Sequence, residues 1–319
     1  MENIWIISLI SAFLISAAVT PLLIPFLRRL KFGQTILEDG PKWHAKKQGT
    51  PTMGGIAFIL AVCAGTFIAV HNEEALFVVI IGVLFGAVGF IDDYIKVVKK
   101  RNKGFSAGAK FLCQSVVSLG AALYMYIIFS KSAEFGIKVP FVSFTLPLGI
   151  FYVPFVMLVM LSTVNSVNLT DGIDGLASSV SVLCALFFFG AALKMGHGGS
   201  AAALAAMIGG VLGFLIYNFF PAKVFMGDTG SLFLGGMLSA AAIRMGLELS
   251  LLIAGFVFLS EAMSDIIQVA YFKKTGKRVF KMAPLHHHFE LCGWKETKIV
   301  GVFSAITAIL SAICYLGLK

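Results

Sequence analysis

Apolar runs of roughly twenty residues recur along nearly the whole chain. This recurrence restricts the fold more than any other feature, because a helix needs about 20 apolar residues to cross the hydrocarbon core of a bilayer. Ten such runs lie near residues 3–27, 52–71, 75–94, 108–129, 149–164, 175–195, 200–219, 231–245, 249–272 and 298–317. Backbone polar groups in lipid must be satisfied within their own segment, so the runs predict helices. The short alternating segments of a transmembrane barrel are not present. Composition agrees: 58% of the 319 residues are hydrophobic and 13% charged, against about 25% charged in an ordinary soluble domain. Mean hydropathy is +0.92. Soluble, disordered and fibrous classes are excluded. The expected fold is an all-α polytopic membrane protein of about ten transmembrane helices, one integral domain over residues 1–319. No repeat of fixed period and no low-complexity tract is visible.

Orientation follows from the cations. Twenty of the 25 Lys and Arg residues fall in one alternate set of loops. The other set holds five: Lys131, Lys138, Lys194, Arg244 and Lys319. The positive-inside rule makes the first set cytoplasmic, so both termini face outward, as an even number of spans requires. The stretch 130–148, with Gly136 and Pro140 between β-branched residues, reads as a small outer β-hairpin. The net charge of +9 reflects cytoplasmic loops facing anionic lipid, and no nucleic-acid partner is expected. The first run is preceded by Glu2 rather than by a basic start and is too long for a cleavable signal peptide. Cys63, Cys113, Cys184, Cys292 and Cys314 form no paired spacing, so neither a disulfide framework nor a thiolate metal site is expected.

Five aspartates sit at or near helix ends on the cytoplasmic side. Carboxylates are costly in a membrane and mark function when their neighbours do not explain them. Asp92 and Asp93 close the third run in F-I-D-D-Y-I-K. Neighbouring helical positions point about 100° apart, so one carboxylate meets substrate while the other meets a lysine or a helix end. Both oppose the helix dipole and need a cation, and Lys96 lies one turn on. The link Asn165 to Leu176, N-S-V-N-L-T-D-G-I-D-G-L, gathers Asn165, Asn168, Thr170, Asp171 and Asp174 without a Lys or Arg. In a helical turn Asp171 and Asp174 would lie side by side and repel unless something intervenes. In F-M-G-D-T-G-S, Asp228 and Ser231 read either as helix caps or as a phosphate site in which Asp228 holds Mg²⁺, since oxygen-only ligands suit that ion. The loop A-P-L-H-H-H-F-E brings His286, His287 and His288 together. Adjacent histidines reach one tetrahedral ion poorly, and the preferred reading is contact with phosphate or sugar. Trp43 to Gly55 offers His44, Lys46 and Lys47 to anionic groups. Gly54 and Gly55 read equally well as packing glycines, as do Gly82, Gly86, Gly209 and Gly213. Asp39 and Glu296 read as solvated loop acids. Carboxylates, amides, lysines and histidines on one face suit phosphoryl transfer from a nucleotide diphosphate, and no Walker A or Rossmann glycine pattern is present.

P-T-M-G-G, D-D-Y, N-x-x-N-L-T-D-G-x-D-G-L, G-D-T-G-S and A-P-x-H-H-H-F-E occur in order over essentially the whole chain. Together they resemble the phospho-N-acetylmuramoyl-pentapeptide transferase (translocase) family, among the polyprenyl-phosphate N-acetylhexosamine-1-phosphate transferases. The resemblance implies transfer of phospho-MurNAc-pentapeptide from UDP-MurNAc-pentapeptide to undecaprenyl phosphate, giving lipid I and UMP, with Mg²⁺ as cofactor. The implied place is the cell membrane, in contact with membrane lipid, with the active site on the cytoplasmic face and a homodimer as a further expected assembly. It also implies that Asp92 is the base or nucleophile beside Asp93, that Asp228 is magnesium-linked, and that Asp171 and Asp174 lie on the nucleotide side. Lys47, with Lys46 as the alternative, falls at the family's lysine. Asn165, Asn218 and Phe225 match the uridine and metal site, and His286, His287 and His288 the sugar-phosphate site; Asn168 joins the substrate-binding set. Asp265 departs from the family's small or apolar residue and is assigned no catalytic role. The nearest rival is a transferase of N-acetylglucosamine-1-phosphate, against which the triple histidine speaks. An ion-coupled transporter would place its acids near the midplane rather than at one face.

Overall fold

The computed structural model describes residues 3–29, 49–98, 104–131 and 135–318. Each of the ten apolar runs carries a helix. In chain order these are α1 (Ile4–Arg29), α2 (Gly55–Ala69), α3 (Glu73–Val98), α4 (Ala107–Phe129), α5 (Tyr152–Thr170), α6 (Leu176–Lys194), α7 (Gly198–Asn218) and α8 (Gly227–Met245). The ninth run departs from a single span: it is broken at Gly255 into α9 (Ser250–Ala254) and α10 (Phe256–Thr275). A Cβ at Gly255 would stand 2.6 Å from the Leu251 carbonyl. A seven-residue helix, α11 (Leu285–Leu291), carries the histidines, and α12 (Glu296–Leu316) follows.

Among the described residues, seven helical segments are long and apolar enough to cross a membrane: α1, α3, α4, α5 with its preceding turn, α6, α7 and α12. The chain is thus a multi-pass membrane protein. α2 has 15 residues. α8 and α10 are long but carry charges, Asp228 and Arg244 in one and Glu261, Asp265, Lys273 and Lys274 in the other. The reason is visible in the packing of α8, which is buried along nearly its whole length and meets protein where an outer helix meets lipid. α7 is buried likewise, whereas α1, α4 and α12 show most of their surface.

Close helix contact rests on small residues. α1 runs alongside α7 in the same direction: Cβ atoms at Gly209 and Gly213 would stand 2.1 and 2.6 Å from the carbonyl oxygens of Leu9 and Phe13. Tyr217 Oη then donates to Ala17 O. The packing reading of these glycines holds. α3 lies antiparallel to α8, with Gly82 against Met237, Gly86 against Phe233 and Gly89 against Asp228.

The helices alternate between two ends of the bundle. At one end β1 (Ile137–Lys138) and β2 (Thr145–Leu146) form the expected hairpin, antiparallel, with Ile137 opposite Leu146. Lys138 N–H donates to Gly246 O after α8, and Phe141 N–H to Gly317 O after α12. The same end holds the start of α7, where Glu74 of α3 meets His197, Gly199 and Ser200. Because α1 parallels α7, α1 begins and α12 finishes at this hairpin end. The aspartate motifs gather at the other.

Candidate active site

Adjacent positions on α3 do different work. Asp93, 4% exposed, turns toward α8 and caps it: Oδ1 accepts Asp228 N–H at 3.2 Å, and Oδ2 accepts the N–H and Oγ1–H of Thr229 at 2.9 and 2.7 Å. The residue before α8 is Met226, with no side-chain cap of its own. A carboxylate from a distant helix therefore satisfies the free N–H groups of the first turn. The capping reading of Asp228 and Ser231 is corrected accordingly. The α8 N-terminus also supplies positive potential against which a buried Asp93 is favourable.

Asp92 turns the other way. Its Oδ1 accepts Phe105 N–H at 2.6 Å. Its Oδ2 lies 2.9 Å from Lys96 Nζ and 3.3 Å from Lys110 Nζ. Both ammoniums also reach Asp228 Oδ2, each at 2.8 Å. Two carboxylates thus share two cations, and Lys96 retains 39% exposure of its side chain. Asp228 Oδ1 accepts from Asn168 Nδ2 at 2.8 Å, and the same amide nitrogen reaches Ser231 Oγ at 2.8 Å. Asp92, Asp228, Asn168 and Lys96 are brought together as the sequence suggested. Lys110, near the start of α4, is the member that sequence reasoning left among ordinary loop lysines.

The link between α5 and α6 separates its two acids. Asp171 ends α5. Burial raises its carboxyl well above the usual carboxylate range, and the charges of Asp228, Asp93 and Asp174 push the same way. Asp174, 3% exposed, instead accepts Ala222 N–H at 2.9 Å, and its own N–H donates to Glu296 Oε2 at 3.2 Å. Glu296 is therefore no solvated loop acid; it ties the start of α12 to this turn. Asn218, 1% exposed, accepts from Ser178 Oγ and donates to Val224 O. Asn165 exchanges hydrogen bonds with Gln114 of α4. These two amides hold the frame around the acids. Phe225 is half-buried, its N–H bonded to Pro51 O and its carbonyl to Gly54 N–H. The P-T-M-G-G segment is thereby laced to the segment before α8, and a Cβ at Gly55 would stand 2.5 Å from Gly230 Cα. Lys47, Lys46 and His44 lie outside the described residues.

The three histidines diverge. His286, 1% exposed, meets Glu261 of α10 through its backbone N–H and Nδ1. His287 Nδ1 lies 2.7 Å from Glu290 Oε2. His288 Nδ1 accepts Lys281 N–H. His286 is the one directed at the α5–α6 turn, where a Cβ on Gly172 would stand 2.1 Å from its Nε2. Asp265 is half-buried on α10.

Comparison with known proteins bears on this arrangement. The model of Glycosyl transferase family 4 matches residues 75–246, from α3 to just past α8. The Phospho-N-acetylmuramoyl-pentapeptide-transferase signature 1 matches residues 47–59. A phospho-N-acetylmuramoyl-pentapeptide-transferase of Alkaliphilus oremlandii (strain OhILAs) is 50% identical over 328 residues, 98% of each chain. Those of Clostridium perfringens (strain 13 / Type A) and Staphylococcus carnosus (strain TM300) are 45% and 44% identical, the first over 98% of both chains and the second over 97% of this chain and 98% of its own. The chain belongs to the phospho-N-acetylmuramoyl-pentapeptide-transferase family. The signature of that transferase family covers the P-T-M-G-G segment laced to the residues before α8, and the broader family model covers Asp92, Asp93, Lys96, Lys110, Asn168, Asp171 and Asp228. The histidine helix lies beyond it and is joined to the aspartates only through the fold.

The two carboxylates that meet at the shared lysines, Asp92 and Asp228, offer only oxygen. Among the described residues no group of three His, Cys, Asp or Glu side chains converges on one point as a ready metal cage. That set does not suit zinc, which takes nitrogen and sulfur in a closed tetrahedron. It fits Mg²⁺, which takes one or two carboxylates and completes its octahedron with water and substrate phosphate.

Proposed function

We propose that this chain transfers phospho-MurNAc-pentapeptide from UDP-MurNAc-pentapeptide to undecaprenyl phosphate, forming lipid I and UMP. The observation that carries this reading is the sharing of Lys96 and Lys110 between Asp92 and Asp228. Two ammoniums held by carboxylates are a preformed counter-charge for a pyrophosphate, and the side-chain exposure of Lys96 leaves one of them able to exchange a carboxylate for a phosphate oxygen. Ten spans, both termini outward and an active site on the cytoplasmic face are part of the same proposal. They are supported by the ten helix-bearing runs, by the start of α1 and the end of α12 lying at the hairpin end, and by the cation distribution.

In this mechanism an oxygen of the lipid phosphate attacks the phosphorus that carries MurNAc. The new phosphoanhydride forms as the bond to the uridine-side phosphate breaks, and UMP departs with that electron pair. A phosphate monoester has a second pKa of about 6, so the attacking oxygen needs little activation. Asp92, held by Phe105 N–H and two ammoniums, has both carboxylate oxygens engaged and is poorly placed to attack phosphorus. Its role is to place Lys96 and Lys110, and direct attack is favoured over a covalent aspartyl intermediate. Asp93 and Asn168 fix Asp228 from behind. Mg²⁺ held by Asp228 would supply charge neutralisation at the pyrophosphate.

The test is UMP release by purified protein given UDP-MurNAc-pentapeptide, undecaprenyl phosphate and Mg²⁺. Release is expected with this donor, little with UDP-N-acetylglucosamine, and none in excess EDTA. Equal release from both donors would overturn the substrate assignment, and unchanged release in EDTA the metal. Without lipid no stoichiometric UMP is expected. Release of one equivalent, with label retained on Asp92, would replace direct attack by two steps.

A further inference from the structure

Glu261 of α10 is fully buried, and His286, 1% exposed, is set against it. Glu261 Oε1 accepts the His286 backbone N–H at 3.1 Å, while Oε2 faces Nδ1 at 2.9 Å. On the far side of the ring Nε2 is buried and, among the described residues, has no hydrogen-bond partner. It points at Gly172 in the α5–α6 turn beside Asp171, where no side chain larger than glycine fits. The His287 ring covers the imidazole at a centroid distance of 4.1 Å. A buried polar atom left without a partner is costly, and one aimed at the acidic turn calls for a ligand.

A backbone N–H can only donate, so Glu261 must present an acceptor at Oε1. With Oε2 likewise an acceptor, the ring proton is drawn to Nδ1. We infer that Glu261 is a positioning residue of the transferase: it holds His286 with its proton on Nδ1 and so presents Nε2 as a hydrogen-bond acceptor for an O–H or N–H group of the sugar-phosphate donor. The inference rests on the transferase reading above for the identity of that donor.

Glu261→Gln is the discriminating variant. Its amide oxygen must stay with the His286 N–H, which leaves the NH₂ against Nδ1 and forces the ring proton onto Nε2. Shape and burial are preserved while the working nitrogen changes from acceptor to donor. By analogy with outer-shell carboxylates that orient a histidine through its other ring nitrogen, kcat should fall by roughly one to two orders of magnitude, with the thermal midpoint little changed. In a His286→Gln background the same substitution should cost almost nothing further, whereas a merely structural glutamate would still matter there. Nitrogen-15 NMR of the wild-type protein, with His286 assigned by its loss in His286→Gln, should show a protonated Nδ1 and a bare Nε2. A proton found on Nε2 alone, or a Glu261→Gln variant with wild-type turnover, would overturn the inference. If the variant fails to fold, the NMR measurement decides it. If wild-type protein releases no UMP, the transferase reading fails, and the spectrum still decides the tautomer.

Discussion

Both ends of the bundle bury carboxylates, but they treat them differently. At the hairpin end Glu74 meets an imidazole, a backbone N–H and a hydroxyl drawn from the turn into α7. Glu248, 1% exposed, has the Tyr152 hydroxyl on Oε1 and, among the described residues, no hydrogen-bond partner on Oε2. Burial pushes the Glu248 carboxyl up to about 8, so it is largely neutral at physiological pH. At the acidic end Asp92 and Asp228 bind the same two lysines. Acids fixed by hydroxyls and backbone hold helices in place. Acids that share ammoniums, the Lys96 side chain 39% exposed, can release them to an arriving anion. Burial alone therefore does not separate the two sets of acids; the exchangeability of their partners does.

The largest expected effect separates the ends directly. Asp228→Asn should lower UMP release by roughly two or more orders of magnitude, the scale of losing a charge-stabilising group. Glu248→Gln should leave turnover unchanged, and a comparable loss there would break the distinction. Lys110→Met removes one shared ammonium. Loss of a charged hydrogen bond is worth about 1.5–3 kcal/mol, so kcat/KM should fall roughly ten- to a hundredfold. A variant as active as wild type would leave Lys96 as the only working cation.

Asp93 tests whether structural use of an acid also occurs at the acidic end. Asp93→Ala strips the cap from α8 and should cost about 2 kcal/mol of stability, measured by thermal unfolding. Asp93→Asn keeps an acceptor and should recover most of it. A last prediction concerns pH. Glu248 is raised above its ordinary 4.5 to about 8 on folding, so the folded state holds the proton more tightly. Its contribution is complete at low pH and is lost as pH rises through that window. The thermal midpoint of wild-type protein should therefore fall relative to Glu248→Gln between about pH 5 and about pH 8. A constant difference would mean that Glu248 stays ionised.

Much of this was legible before any fold was known. The helices, their order, the hairpin and the reading of Gly209 and Gly213 as packing residues came from local pattern. Asp92 needing a cation, and Lys96 as that cation, followed from one helical turn. The roles of the non-local partners did not. Lys110 looked like one loop lysine among many, yet it reaches an aspartate 118 positions away. Glu296 looked solvated until α12 met the α5–α6 turn. Asn218 and Asn165 looked available to ligand, and the fold engages both within its frame.

The sequence by itself determined the membrane class, the helical runs and the motifs, because lipid imposes a local rule: each segment must be apolar enough and long enough, and must satisfy its own backbone. The tertiary structure alone decided that Asp93 caps α8 while Asp92 binds lysine, and that His286 leans on Glu261. Adjacent side chains on a helix point in different directions, and what each one meets is set by helices far away in sequence.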